Sequence, residues 1–195
     1  MRKTRAAAAE TRVRIVEAAA AEFRANGIGH TGLSGLMAAA GLTNGGFYKH
    51  FASKDQVVAE ACELGLAELS AGLVQAMDGR GGATPAGRRR AAADAYLSPA
   101  HRDHPGQGCP FAALGSELAR GAEPVRRSAT DGLRTMVALL AGGDDPADRG
   151  AALVALSAMV GAMTLARIAD DAALSDEILL QMRRHLAHAS EPAAG

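Results

Sequence analysis

Apolar side chains return every three or four residues along most of this chain, the cadence of packed helices. It predicts an all-α fold of about nine helices. The first spans 11–26, where Ile15, Ala18, Ala19, Glu22 and Phe23 form a narrow stripe that Asn26-Gly27 ends. A helix opening at 53–54 carries Val57, Val58, Ala61, Leu64, Gly65 and Leu69 and runs to about Met77, with Ser53 as its expected cap and Asp55 in its first turn. The breaker run 78–87 (DGRGGATPAG) follows. Helices are then predicted over 88–97, 111–120 and 123–141, the last with Val125, Leu133, Met136, Val137 and Leu140 inside. A long apolar helix from Pro146 or Asp148 to about Ala169, and a final one from a Ser175 cap to about His188, complete the set. Residues 98–110 (SPAHRDHPGQGCP) are expected to hold no regular structure, and Cys109-Pro110 stands at the N-cap and first position of the helix behind them.

The most informative stretch is 31–51, TGLSGLMAAAGLTNGGFYKHF. Leu33, Leu36, Met37 and Ala40 keep helical spacing behind Thr31, the expected N-cap, and Gly41 supplies the positive φ of an abrupt stop. Thr43 is then placed to cap a short helix from Asn44 to about His50, which must be held by packing through Phe47 and Phe51. Its outer face shows Asn44, Gly45, Gly46, Tyr48, Lys49 and His50. A short buttressed helix with a polar outer face is what reading a DNA major groove requires.

The run AAGLTNGGFYKHFASK, within 27–54, resembles the DNA-binding module of the TetR family of bacterial transcriptional regulators (AcrR-like). The turn Gly41-Leu42-Thr43, the pair Phe47-Tyr48, His50-Phe51 and Ser53-Lys54 carry the likeness. The resemblance implies a three-helix helix-turn-helix domain over 9–69, with the motif at about 32–51 and a linking helix from 54. An antiparallel helical effector-binding and dimerisation domain over 70–195 would follow it. It assigns Thr31, Thr43, Tyr48, His50 and Lys54 to phosphates. Asn44 and Lys49 suit base edges, while Gly45 and Gly46 allow close approach. The implied partner is palindromic or near-palindromic double-stranded operator DNA, bound by a homodimer, since one head reads few base pairs. The implied action is repression released by a small effector.

Charge changes the picture only through its distribution. The formal net charge is zero, yet residues 1–54 hold eight Lys or Arg against three acids, leaving +5 there and −5 on the remainder. Before about residue 9 the chain is basic without apolar anchors and reads as a disordered arm, either lying along DNA or simply solvated. No apolar segment follows it as a secretory signal would require. The longest uncharged run, 150–166, falls short of the roughly 18 residues that span a bilayer. Two cysteines make no disulfide framework, and a cytoplasmic protein without membrane, cofactor or metal is expected.

The dimer seam is placed on the last two helices, at Leu153, Leu156, Val160 and Met163 and at Ile178, Leu179, Met182 and Leu186, with Gly161 and Ala162 allowing close approach. Effector-pocket candidates are Leu66, Met77, Tyr96, Phe111, Leu114, Met136, Met159 and Met163, all equally at home in a plain core. With four of six aromatic residues before residue 52, an aromatic cage for the effector is not expected. Cys109 at a helix N-terminus, near His101, Arg102 and His104 in sequence, raises a thiol sensor of electrophiles or oxidants as an alternative trigger. The resemblance to a subgroup with a cysteine before the sixth helix points the same way. A helical enzyme using Cys109 with a histidine, a non-DNA-binding adaptor, and a His101–His104–Cys109 metal site are weaker readings of the same residues.

Overall fold

The structure, a computed structural model, describes residues 5–79 and 82–188. It is all-helical among those residues: α1 (Arg5–Asn26), α2 (Leu33–Ala39), a 3₁₀ helix (Asn44–Lys49), α3 (Lys54–Gly79), α4 (Pro85–Tyr96), α5 (Pro99–Asp103), a 3₁₀ turn (Pro105–Gln107), α6 (Pro110–Ala119), α7 (Glu123–Ala141), α8 (Pro146–Ile168) and α9 (Ala172–His188). The chain divides into two compact units. One holds Met1–Ala67 with Pro105–Asp131, and the other Glu68–His104 with Gly132–Gly195. The first stretch of the first unit stops beside the 69/70 cut read from sequence, and the chain then returns to that unit at Pro105.

The first unit is built around Ile15, Phe23, Leu36, Met37, Phe47, Phe51, Val57, Val58 and Leu66, joined by Leu114 and Leu118 of α6 and Val125 of α7. In the second unit α8 packs on α9, and α4 packs on both. Arg88 donates through Nε to the Leu139 carbonyl at 3.0 Å, and Arg89 pairs with Asp148 at 3.0 Å.

Several element ends differ from expectation for local reasons. α1 begins at Arg5, because four successive alanines, Ala6 to Ala9, have the highest helix propensity. Arg2 and Lys3 of the proposed arm, and the tail from Glu191, lie outside the described residues. The 98–110 segment is not structureless. Ser98 caps α5 by accepting from the His101 N–H, and Pro99 occupies the first turn, where its missing N–H costs nothing. α9 starts three residues before Ser175, capped by Asp171, whose Oδ1 accepts from Ala173 N–H at 2.8 Å. Ser175 instead lies buried, donating to the Ala166 carbonyl at 2.6 Å. Leu133, expected inside, is 43% exposed on α7. α8 spans 23 residues and is long and apolar enough to cross a membrane by length and composition, although its longest uncharged run is shorter. Seven of its residues, from Ala152 to Ala166, are buried against this fold.

Candidate nucleic-acid interface

The turn between α2 and the reading segment forms as its sequence dictates. Gly41 has φ +70°, and Leu42 N–H returns to the Met37 carbonyl at 2.8 Å, closing α2 abruptly. Arg14 of α1 donates to the Ala40 carbonyl at 2.6 Å, so one of the carbonyls left open at the end of α2 is satisfied by a cation. The reading segment is a 3₁₀ helix rather than an α-helix. With two glycines in six residues it has too little intrinsic propensity for more than this tight form.

Packing holds that short helix in place. Phe47 is fully buried, its ring stacked on Phe51 with centroids 5.5 Å apart and met edge-on by Tyr48 at 5.2 Å. The guanidinium of Arg12 sits 4.5 Å over the Phe51 ring while its fork engages Glu60, with Nη2 to Oε1 at 2.6 Å. Behind the glycines, Met37 Cε lies 3.5 Å from where a Cβ on Gly46 would stand, so Gly46 is a packing position and Gly45 faces open space. Thr43, Asn44, Gly45, Tyr48 and Lys49 are exposed and His50 is partly so, with Tyr48 at 73%.

Two residues assigned to phosphates from sequence are turned elsewhere. Thr31 is buried, and its hydroxyl donates to the Gly27 carbonyl at 2.7 Å; Gly32 takes the N-cap position of α2. A hydroxyl whose proton is committed inside the turn cannot also donate to a phosphate. Lys54 reaches back to the Ile28 carbonyl at 2.5 Å, with its ammonium 5.9 Å over the Phe23 ring. Thr43 stands at the N-cap position of the reading helix but makes no side-chain cap bond, so the cap expected of it is not formed. The cap of α3 is as expected, with Gln56 N–H donating to Ser53 Oγ at 3.2 Å. The basic surplus is also smaller at the surface than in the count. Arg12, Arg14 and Arg24 serve Glu60, the α2 terminus and the Gly108 carbonyl, which leaves Lys49 as the exposed cation on the reading helix.

The other predicted sites separate in the same way. Leu66 and Leu114 belong to the core of the first unit, with Phe111 packed against it. Met77, Tyr96, Met136, Met159 and Met163 are buried in the second unit, where Ser70 Oγ lies 3.2 Å from Met136 Sδ. Leu156, Met163, Leu179 and Leu186 point into the fold and are unavailable to a partner, while Leu153 is exposed and Val160, Ile178 and Met182 are half-buried. The outward residues are instead Leu153, Val154, Leu165 and Ile168 on α8, and Leu174 and Leu180 on α9. Helical periodicity gives a stripe without saying which of two stripes faces out.

Cys109 stands in surroundings that do not favour the sensor reading. It is the N-cap of α6 but 0% exposed, without a side-chain cap bond, and it belongs to the first unit whereas His101, Arg102 and His104 belong to the second. Cys62 is buried as well, and burial pushes its thiol up to about 11, against a weaker lowering by Ser128. His101 Nδ1 donates to the Tyr96 carbonyl at 2.7 Å, and His104 Nδ1 lies 2.8 Å from the Ala100 carbonyl. Among the described residues no three metal-ligating side chains cluster.

Comparison with known proteins places this arrangement. Residues 15–61 match the family model described as bacterial regulatory proteins, tetR family. No curated protein matches the chain. Among solved structures, it is similar to a TetR transcriptional regulator from Chloroflexus aurantiacus, at 27% identity and TM-score 0.74, covering 93% of this chain and 94% of that one. It is also similar to SCO4454, a TetR-family transcriptional regulator from Streptomyces coelicolor, at 25% identity and TM-score 0.69, covering 93% and 91%. The reduced form of E. coli NemR shares the fold at 22% identity and TM-score 0.76, covering 92% and 96%.

Proposed function

We propose that this chain, whose residues 15–61 match the family model of the bacterial tetR regulatory proteins, is a dimeric repressor released from operator DNA by a small effector. The observation that carries the reading is the buttressed 3₁₀ helix. Phe47 and Phe51 anchor it from behind, and Asn44, Gly45, Tyr48 and Lys49 are left exposed on a short polar face of the kind that enters a major groove. Asn44 and Lys49 are assigned to base edges, and Thr43, Tyr48 and His50 to phosphates.

Two-fold pairing is supported by the apolar outer face of α8 and α9. Exposed aliphatic side chains at 153, 154, 165 and 168, with Gly161 opening space between them, fit a helix-on-helix seam with a second copy. The effector is assigned to the second unit, where the buried Met77, Tyr96, Met136, Met159 and Met163 form a flexible and weakly aromatic set that a small apolar molecule could repack. With Cys109 enclosed, ligand binding is favoured over thiol chemistry as the trigger. Placement in the cytoplasm follows from the DNA partner.

Fluorescence anisotropy on a labelled duplex from upstream of the protein's own gene tests the reading. Binding should weaken steeply from 50 to 200 mM salt. Lys49→Ala should lower affinity by about tenfold at a fixed salt concentration, the cost of one good base contact. Binding by Lys49→Ala as tight as wild type would remove the reading face from this surface.

A further inference from the structure

One peptide unit in the first unit is held at both of its ends by opposite charges. The Ile28 carbonyl accepts from the Lys54 ammonium at 2.5 Å, and the N–H of the same peptide, on Gly29, donates to Glu117 Oε1 at 2.8 Å. Next to it the Gly27 carbonyl accepts from Thr31, so the whole turn joining α1 to α2 is wired. Lys54 is the first residue of α3 and Glu117 lies near the end of α6, far apart in sequence and met only at this turn. The local sequence makes room for them. Gly27 has φ +85°, and a Cβ there would stand 3.2 Å from Glu117 Oε2.

We propose that Lys54 and Glu117 are a positioning pair for DNA recognition, acting through the Ile28–Gly29 peptide. This inference rests on the DNA-binding reading. Charge-assisted hydrogen bonds are roughly twice as strong as neutral ones, and bonds at the two ends of one amide polarise it in the same sense. Neither side chain is loose. Leu114 and Leu118 anchor α6 in the core on both sides of the turn that carries Glu117, and the Phe23 ring seats Lys54. Fixing this peptide fixes the direction in which α2 leaves α1. The reading helix rides on α2 through Met37 and Gly46. Loss of the carboxylate therefore lets α2 and the reading helix rock together while the apolar core stays whole. A half-buried glutamate that touches no DNA thereby sets operator affinity.

The test compares the full-length chain with Glu117→Ala, Glu117→Gln and Lys49→Ala on the same labelled duplex, alongside thermal unfolding and the amide exchange of Gly29 in the absence of DNA. Glu117→Ala should bind about tenfold more weakly and lose protection at Gly29, with its melting midpoint near that of wild type. Glu117→Gln keeps an acceptor oxygen at the same reach and should recover binding to within about threefold. That rescue is what a merely electrostatic glutamate would not give, and the unchanged melting midpoint of the alanine variant separates positioning from a merely stabilising role. Wild-type affinity in Glu117→Ala, or equal loss in the alanine and glutamine variants, overturns the inference. If the alanine variant fails to fold, Glu117→Gln decides it alone: retained Gly29 protection with near-normal binding supports the pair, and lost protection with normal binding refutes it. A wild-type chain that binds no duplex even at low salt sinks the DNA-binding reading instead, while Gly29 exchange still reports whether the clamp exists.

Discussion

Gly65 is the position that lets Arg24 lie inside the first unit. A Cβ built on Gly65 would stand 2.5 Å from Arg24 Nη1 and 3.0 Å from Pro110 Cγ, closer than packed atoms allow. An arginine tip at the surface would swing aside. This one is buried and reaches the Gly108 carbonyl at 3.4 Å, with proline on its other flank. Gly65→Ala should therefore destabilise the chain by about 1–3 kcal/mol, even though alanine favours a helix by about 1 kcal/mol over glycine. Chemical denaturation reads the sign directly, and a stabilised variant would mean that Arg24 moves freely.

His101 predicts a pH dependence confined to the second unit. Burial lowers its imidazole to about 4, outweighing the opposite effect of its bond to the Tyr96 carbonyl; the nearby Arg167 charge adds to the lowering. The unfolded chain binds this proton near 6.5, the folded chain only near 4, so the unfolded state carries more protons in between. Stability is thus fully present above about pH 6.5 and falls as pH drops towards 4, by on the order of 3 kcal/mol from this group. His101→Gln should flatten that part of the profile relative to wild type.

On the proposed pairing, the two faces of the last helices separate dimerisation from folding. Val154 and Ile168 are 64% and 71% exposed, whereas Leu179 is buried. Val154→Asp with Ile168→Asp should yield a helical monomer by light scattering, while Leu179→Asp should abolish cooperative unfolding altogether, through an unpaired charge in the core. A double variant that stays dimeric would move the seam off α8.

Both thiols should be slow to react. Alkylation of Cys109 and Cys62 by a maleimide should proceed in the native chain only as fast as local opening exposes them, and completely in denaturant. Fast native labelling at Cys109 would restore it as a sensor candidate.

What could be read from residue order was local. Gly41 ends α2 because its φ is positive, Phe47 and Phe51 sit four apart on one face, and Pro110 opens α6 behind Cys109; each is decided within a few neighbours. The 3₁₀ form of the reading helix and the Gly32 cap are choices between near-equal local options. The capture of Lys54 by Ile28, of Gly29 by Glu117 and of Arg12 by Glu60 joins residues 26, 88 and 48 positions apart. No periodicity encodes such pairings. Such a pairing turned Lys54 back to the scaffold, and the local bond to Gly27 did the same for Thr31, the two residues whose types had invited phosphate contacts.

Gly45 stands in the middle of the reading helix, exposed, with no heavy atom within 4 Å of where a Cβ would lie. Most positions that face a ligand are bound to the scaffold behind them, so a new preference is acquired at the expense of folding. Here the two are uncoupled. A single codon change can add a polar side chain where the protein now presents bare backbone, giving a duplicated gene a new operator without disturbing the old fold.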